Sequence, residues 1–351
     1  RYTHALIEAD EAAFKAIGKF VDPKAIVVTN VFRDQLDRYG EVTHTLENIR
    51  IGIENSPHAK LALNADDSLC TSLAGAVPNP VLFYGVNTPI YASRVEELSD
   101  APYCIRCKHA YVYDYVTYGH LGKYRCPACG YSRPEPEIAV SEVAVTDAEH
   151  SEVVFDDGKK RIPATICLPG GYNIYNACAA MAAGRLLGLK EETVAASLAS
   201  FSCGFGRMEK FRIHDVDVRM ILIKNPAGCN QVLNYLTQLR EPFTFVACLN
   251  DRAQDGVDVS WIWDVDFERL TAMGDQIASI DVSGRRAEDM AMRFKYAGFP
   301  TERLRVNKDY RSLIENAVAL GKPVYVMPTY TAMLALRSTI SKAYGYKEFW
   351  E

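Results

Sequence analysis

The chain has 351 residues, 48% of them hydrophobic and 24% charged, enough for about two domains with full cores. Its 44 acidic residues outnumber 39 Lys and Arg, a net charge of −5, so no global basic field draws it to nucleic acid. No apolar run approaches the roughly 20 residues of a membrane span and no signal peptide opens the chain; ten cysteines, mostly scattered, favour a reducing compartment, here the cytoplasm.

The opening "RYTHALIEADE" reads as the middle of a domain, so the sequence is expected to continue upstream of Arg1. "LIEADEAAF" places Glu8, Asp10 and Glu11 at the end of an apolar run. Acids at the carboxyl edge of a parallel strand bind Mg²⁺ beside a nucleotide, although an acidic helix N-terminus has the same composition. "KAIVVTNV" (24–31) and "AKLALNADDS" (59–68) predict short β-branched or apolar strands, the second ending in Asn64, Asp66 and Asp67. Between them "VTHTLENIRIGIEN" has the spacing of an amphipathic helix. Strand, helix and strand at these lengths predict βαβ units and a mostly parallel sheet. The loop "TNVFRDQLDRYGE" packs Asn30, Arg33, Asp34, Asp37 and Arg38 after the first of these strands.

From about 98 to 136 the rhythm breaks. Cys104-x₂-Cys107 and Cys126-x₂-Cys129 stand 18 residues apart, and Gly130 follows the second pair as a knuckle turn requires. Four thiolates close a tetrahedral shell around Zn²⁺ and leave no open position, so such a metal is structural. Two disulfides or an iron centre are the other readings of this quartet. His109 and His120 are surplus to the shell, and Tyr111, Tyr113, Tyr115, Tyr118 and Tyr124 suit the packing of a ribbon too small for a core of its own.

"EIAVSEVAVTD" and "HSEVVFDDGKKRIPATICLPG" then alternate with period two, and "DDGK" is a hairpin turn. "NIYNACAAMAAGRLLGL" (173–189) predicts an Ala-rich helix stopped near Gly188, with Asn173 and Asn176 on one face of its first turn; "EETVAASLASF" predicts another. Asn side chains there hydrogen-bond an adenine edge or cap the helix. After "GFGRMEKF" a fresh alternation of strands and helices begins, which predicts a second α/β domain. Within it "NDRAQDGVDVSWIWDVDFE" crowds Asp255, Asp258, Asp264 and Asp266 around Trp261 and Trp263. Solvated acids beside a packing patch account for that composition; a partner-facing loop with an anchoring Trp and one functional carboxylate is the sharper reading.

Taken in order, "EADE", "TNxxxDxLDRYG", "LNADD", "GxYNxYNxxAA" and "GRMEKF" resemble the Mur ligases, ATP-dependent amide-forming enzymes of peptidoglycan synthesis. The four-cysteine insertion, Gln35 where relatives have His, and "IKNPAG", "DGVDVSWIWD" and "TYTAML" are similar to the branch of that family that adds ammonia. The resemblance implies an α/β protein: a Mur ligase-like central parallel-sheet ATPase domain over 1–207 with an inserted Cys₄ zinc ribbon, then a Rossmann-like C-terminal α/β domain over 208–351. It also implies a phosphate-binding GTNGKT loop upstream of Arg1. The implied reaction amidates the D-glutamate α-carboxylate of lipid II, at the membrane surface, to D-isoglutamine through an acyl phosphate. ATP, Mg²⁺ and structural Zn²⁺ are the implied cofactors, and a GatD-like glutaminase subunit is the implied partner and ammonia source. Position by position, Glu8 and Glu11 fall on the Mg²⁺ ligands, Asn173 and Asn176 on the adenine contact, and Arg207 and Lys224 on phosphate contacts. Asp258 falls on the acid that completes the partner's catalytic triad. An amino-acid-adding Mur ligase and a zinc-ribbon nucleic-acid module are the alternatives, and the acidic balance speaks against the second.

Overall fold

The computed structural model describes residues 5–33, 42–91, 99–146, 149–201 and 207–347, in two compact units that divide between Phe201 and Ser202. Arg207 opens the first strand of the second unit's sheet.

The first unit begins with α1 (Glu11–Ile17), β1 (Ala25–Val28), α2 (Val42–Glu54), β2 (Lys60–Asn64), α3 (Ser68–Leu73) and β3 (Val81–Val86). It continues through a two-stranded ribbon, β4 (Val112–Tyr118) and β5 (Leu121–Arg125), then β6 (Ile138–Thr146), β7 (Ser151–Asp156), β8 (Arg161–Ile166), α4 (Gly171–Leu186) and α5 (Glu191–Ser200). The main sheet runs β1-β2-β3-β6-β7-β8. Its first four strands are parallel, with Ala25 opposite Lys60, Leu61 opposite Val81 and Tyr84 opposite Ile138; the last two are antiparallel. β2 is buried on both faces, as the interior of a parallel sheet requires. Leu61 and Leu63 join Ile49, Ile53, Leu69 and Leu73 in one core, whereas Ala62 joins Tyr84, Ile174, Cys178 and Met181 in the other. That alternation puts α2 and α3 on one face and α4 on the other.

β6 shows the change of regime within one strand. Its first three residues are buried where it lies beside β3, and the rest alternate where it pairs with β7 alone. The "DDGK" turn joins β7 to β8: Asp156 accepts from the Gly158 N–H at 2.8 Å and Asp157 from Lys160 at 2.7 Å, and Gly158 takes a φ of 77°. The parallel neighbours β3 and β6 need a crossover, normally a helix. Here the cysteine ribbon occupies it.

The chain start departs from expectation. Among the described residues no strand precedes Glu8; Asp10 N-caps α1, accepting from the Ala13 N–H at 2.7 Å, and Glu11 sits in the helix's first turn. Leu6 and Ile7 are exposed rather than part of a sheet. The acidic cluster therefore has the local role of a helix N-terminus, where carboxylates satisfy free N–H groups.

The second unit contains β9 (Arg207–Ile213), β10 (Val216–Ile221), α6 (Pro226–Leu236), β11 (Phe243–Cys248), a 3₁₀ turn (Ser260–Asp264) and α7 (Glu268–Thr271). β12 (Ile277–Ser283), α8 (Ala287–Tyr296), β13 (Leu304–Val306), α9 (Tyr310–Val318), β14 (Val324–Pro328) and α10 (Tyr330–Tyr344) follow. The strand order is β13-β12-β11-β14-β10-β9, with all neighbours parallel except the edge pair β10 and β9. From β11 the chain moves outward through β12 and β13, then returns to β14 on the other side of β11. This reversal is a topological switch point, and the loops at the carboxyl ends of β11 and β14 flank the crevice that such sheets use for ligands.

Candidate functional site

The four ribbon cysteines converge. Their sulfurs all lie within 4.8 Å of one another, with Cys104 Sγ 3.6 Å from Cys129 Sγ and Cys107 Sγ 3.4 Å from Cys126 Sγ. Sulfurs about 2.3 Å from a tetrahedral Zn²⁺ lie about 3.8 Å apart, so the quartet fits that ion. Two matching knuckles make the site. Lys108 N–H donates to Cys104 O at 2.8 Å and Gly130 N–H to Cys126 O at 3.1 Å, and both Lys108 (φ 64°) and Gly130 (φ 74°) are left-handed. Burial opposes charge on Cys104, yet the Cys107 and Arg106 N–H groups prevail and hold its thiol down to about 6. At Cys107 the His109 N–H favours the thiolate, but burial and the neighbouring sulfurs push it up to about 12. Crowded sulfurs that resist joint ionisation are what a bound dication relieves. Among the described residues this quartet is the one group of three or more His, Cys, Asp or Glu side chains placed to share an ion.

The ribbon is welded to the sheet by side chains at the carboxyl end of β2. Asp66 is fully buried and accepts from Arg133 Nε at 2.7 Å, Tyr175 OH at 2.6 Å and the Val86 N–H at 3.1 Å. Burial pushes its pKa up, while Arg133, Tyr175 and Val86 pull the other way. Its backbone carbonyl accepts from Gly122 N–H on β5 at 3.0 Å. Asp67, also fully buried, accepts from the Leu69 N–H at 2.8 Å, capping α3, and from the Val31 N–H at 2.7 Å. The His120 ring places Nε2 3.3 Å from Asp67 Oδ1, an electrostatic contact without a well-aligned hydrogen bond. Burial works against the Asp67 charge, but His120 and the two backbone donors bring its pKa below the usual carboxylate range. On α3, Thr71 Oγ1 meets Tyr124 OH at 2.5 Å and Tyr131 OH at 2.7 Å; Thr117 Oγ1 meets Tyr175 OH at 2.7 Å. Tyr111, Tyr113 and Tyr124 thus pack the ribbon in a cluster with Cys104, Cys107 and Cys126, whereas Tyr118 joins the core of the domain and Tyr115 OH donates to Val86 O on β3. Sequence reasoning set His120 aside and gave Arg133 and Tyr175 no role. The Asp-Asp pair closing an apolar strand was the available signal, but its partners lie far away in the chain.

Of the other expected site residues, Asn173 and Asn176 meet at the start of α4. Asn176 Nδ2 donates to Asn173 Oδ1 at 3.1 Å, and Asn173 Nδ2 donates to Pro169 O at 2.8 Å. Asn173 is buried and Asn176 exposed, and Gly170, not an Asn, occupies the N-cap. Glu8 lies in the irregular segment before α1, on the chain just ahead of Glu11. Lys224 is exposed between β10 and α6, beside Asn225, which caps α6 through the Gly228 N–H at 2.8 Å. The Arg207 backbone pairs with Ile221. Asp34, Gln35, Asp37 and Arg38 lie outside the described residues.

In the second unit the acidic loop roots at the switch point. Asp255 is buried and accepts from Thr331 N–H at 2.7 Å and Thr331 Oγ1 at 2.5 Å. Asn250 donates its N–H to Thr329 Oγ1 at 2.9 Å and its Nδ2 to Thr331 Oγ1 at 2.8 Å. Buried Arg293 braces the far end of the loop through Ile262 O, Val265 O and Glu268. Between these anchors Asp258 is exposed. It accepts from the Ser260 N–H at 2.8 Å and Ser260 Oγ at 2.9 Å, which hold its pKa below the usual range. Trp263 is half exposed and meets Tyr296 edge-on at 5.6 Å. The four acids are therefore not equivalent: Asp255 builds the loop and Asp258 is displayed by it.

Two outcomes test this geometry. Elemental analysis is expected to find about one zinc per chain, largely lost in Cys107→Ser; a metal-free wild type would contradict the clip. On β3, a Cβ at Gly85 would collide with Asp66 Oδ1 and come within 2.9 Å of Arg133 Nη2. Gly85→Ala is expected to destabilise the protein by about 1–3 kcal/mol, seen as a lower denaturant midpoint; an unmoved midpoint would show the Asp66–Arg133 pair to be loosely held.

Comparison with known proteins agrees with this architecture. Residues 222–333 match the family model "MurT ligase C-terminal". The chain is 33% identical over 341 residues to the MurT subunit of lipid II isoglutaminyl synthase (glutamine-hydrolyzing) from Streptococcus pneumoniae, covering 96% of this chain and 74% of that protein. It is also 33% identical to the Staphylococcus aureus MurT subunit, covering 97% of this chain and 75% of that one. Among solved structures, it is similar to a pseudomurein peptide ligase type C from Methanothermus fervidus, with TM-score 0.69, 20% identity, and 93% of this chain against 65% of that one. It also resembles MurC from Thermotoga maritima, with TM-score 0.61, 13% identity, and coverage of 95% and 63%. The chain thus spans somewhat less than two thirds of these solved ligases and about three quarters of the curated relatives. With a third of its residues shared along nearly its full length, the chain belongs to the MurT family, built on the Mur ligase fold.

Proposed function

We propose that this chain is the synthetase subunit of a glutamine-hydrolysing lipid II isoglutaminyl synthase. The observation that carries the reading is the 33% identity, over 96% of the chain, to a relative named as that subunit. The substrate is the D-glutamate α-carboxylate of lipid II, met at the membrane surface. A carboxylate is a poor electrophile, and phosphoryl transfer from ATP gives it a leaving group as an acyl phosphate. The ammonia lone pair then forms the C–N bond, phosphate departs with the C–O electrons, and loss of a proton leaves the amide. Fold neighbours include MurF of T. maritima, solved with ADP, and M. tuberculosis folylpolyglutamate synthase, solved with ADP and AMPPCP, which supports a nucleotide here. Mg²⁺ supplies neutralisation of phosphoryl charge when bound. Asn173 and Asn176 would meet the adenine, Arg207 and Lys224 the phosphates, and Glu8 and Glu11 the Mg²⁺.

Free ammonia is scarce near neutral pH, so a GatD-like glutaminase partner would release it locally. The exposed and ionised Asp258, on a loop with a half-exposed Trp263, suits an acid lent across an interface. There it would orient a partner histidine and stabilise its charged form. The full-length protein, co-expressed with a GatD-like glutaminase, is expected to amidate lipid II with ATP and glutamine, read by mass spectrometry. Asp258→Asn is expected to leave the complex assembled and the ammonia-driven reaction intact, and to lower the glutamine-driven reaction by about 10³- to 10⁴-fold. Full glutaminase activity in that variant would refute the role of Asp258, and absence of amidation by the intact wild-type complex would refute the reaction.

A further inference from the structure

We propose that the cysteine ribbon is a strut that sets the backbone of residues 31–33, just past β1, with His120 as its positioning residue. These three consecutive residues are each held from outside, and two of them by the insertion. The Val31 N–H is bound by Asp67, which His120 backs from the ribbon's hairpin end. The Phe32 ring stacks on Tyr118 at 5.6 Å and 15° and meets the His120 ring at 4.6 Å. The Arg33 N–H donates to Asp100 Oδ2 at 2.8 Å, on the segment that leads into the ribbon.

The hairpin end is shaped for this contact. Gly119 has a φ of 55°, and a Cβ there would lie 2.6 Å from Phe32 Cε1, so only glycine lets the turn pass beneath the ring. Thr117, His120 and Leu121 are almost wholly buried, and Tyr118 and Leu121 belong to the core shared with α4. The hairpin is therefore clamped at both ends: the cysteine clip at one, the body of the domain at the other. A metal structural in its own coordination would in this way act on a loop it does not touch.

The consequence for catalysis rests on the ligase reading above. A loop at the carboxyl end of a parallel strand is where such sheets engage ligands, and a displacement there of about 1 Å is enough to cost up to a hundred-fold in rate.

The test uses the full-length protein with its glutaminase partner. His120→Ala and Gly119→Ala are prepared, together with wild type stripped of zinc by a chelator. Hydrogen exchange is read at the amides of residues 31 and 33, with β2 and α4 as internal references, and zinc content is measured for each sample. The expected result is retained zinc in both variants, exchange at residues 31 and 33 faster by about ten-fold or more, and unchanged exchange in β2 and α4. Chelation is expected to accelerate the same two amides. Should either variant fail to fold, His120→Asn and the chelated wild type carry the same comparison. Unchanged exchange at residues 31 and 33 in folded, zinc-retaining variants overturns the strut. So does acceleration spread equally over β2 and α4, which marks a merely structural role. In parallel, KM for MgATP is expected to rise by about ten-fold or more in the variants while the Kd for the partner holds. Faster exchange at the two amides with unchanged KM would keep the strut and refute this loop's part in the nucleotide site.

Discussion

Two adjacent carboxylates, buried side by side at the end of a central strand, set the terms for the whole first unit. An ionised carboxylate out of water is tolerated only with donors on nearly every lone pair. Asp66 and Asp67 gather those donors from five directions: Val31 just past β1, the end of β3, the start of α3, the N-terminal part of α4 and the ribbon. Each donor fixes a different element to the same corner of the sheet. Removing one partner of such a pair leaves the other charge stranded, at a cost of about 3–5 kcal/mol. The arrangement is thus less a source of net stability than a device for specifying which pieces meet.

The ribbon shows what a metal clip would do for that corner. A two-stranded hairpin is marginal by itself in water. Tyr111, Tyr113 and Tyr124 cluster with cysteines at one end, and its turn enters the domain core at the other. An ion cross-linking the two knuckles would remove the conformational freedom that lets the turn withdraw. In the second unit the equivalent task falls to ordinary hydrogen bonds: Asp255 and Arg293 pin a loop at the two ends of the stretch that displays Asp258. One loop carries heavy bracing and an exposed acid at its centre, which is how a surface group acquires a fixed direction.

What was legible in the sequence were features whose partners lie close along the chain. The Cys-x₂-Cys pairs, the "DDGK" turn, the Ala-rich helix ended near Gly188 and the strand–helix alternation all announce themselves locally. At the acids around the start of α1 composition left two readings open, because an N-cap and a metal-binding strand end look alike; the structure gives Asp10 the cap and leaves Leu6 and Ile7 exposed. The Asp66 hub was hidden for a different reason. Arg133 and Tyr175 stand 67 and 109 positions away from it, and nothing local marks either as its partner. His120 looked like a spare ligand because its proximity to the cysteines in sequence says nothing of which end of the hairpin it occupies. Of the second unit's four acids, composition pointed to the loop, and only the fold separated the one that builds it from the one it presents.

The crossover between β3 and β6 carries a consequence for how the molecule is made. A helical crossover forms as it emerges from the ribosome, from contacts within itself. This one holds a ribbon whose own cluster is made of tyrosines and cysteines alone, and β6 reaches its place beside β3 only after the chain has passed through it. An ion captured by the four cysteines would compact that stretch, and completion of the sheet would then be coupled to the supply of metal in the cell.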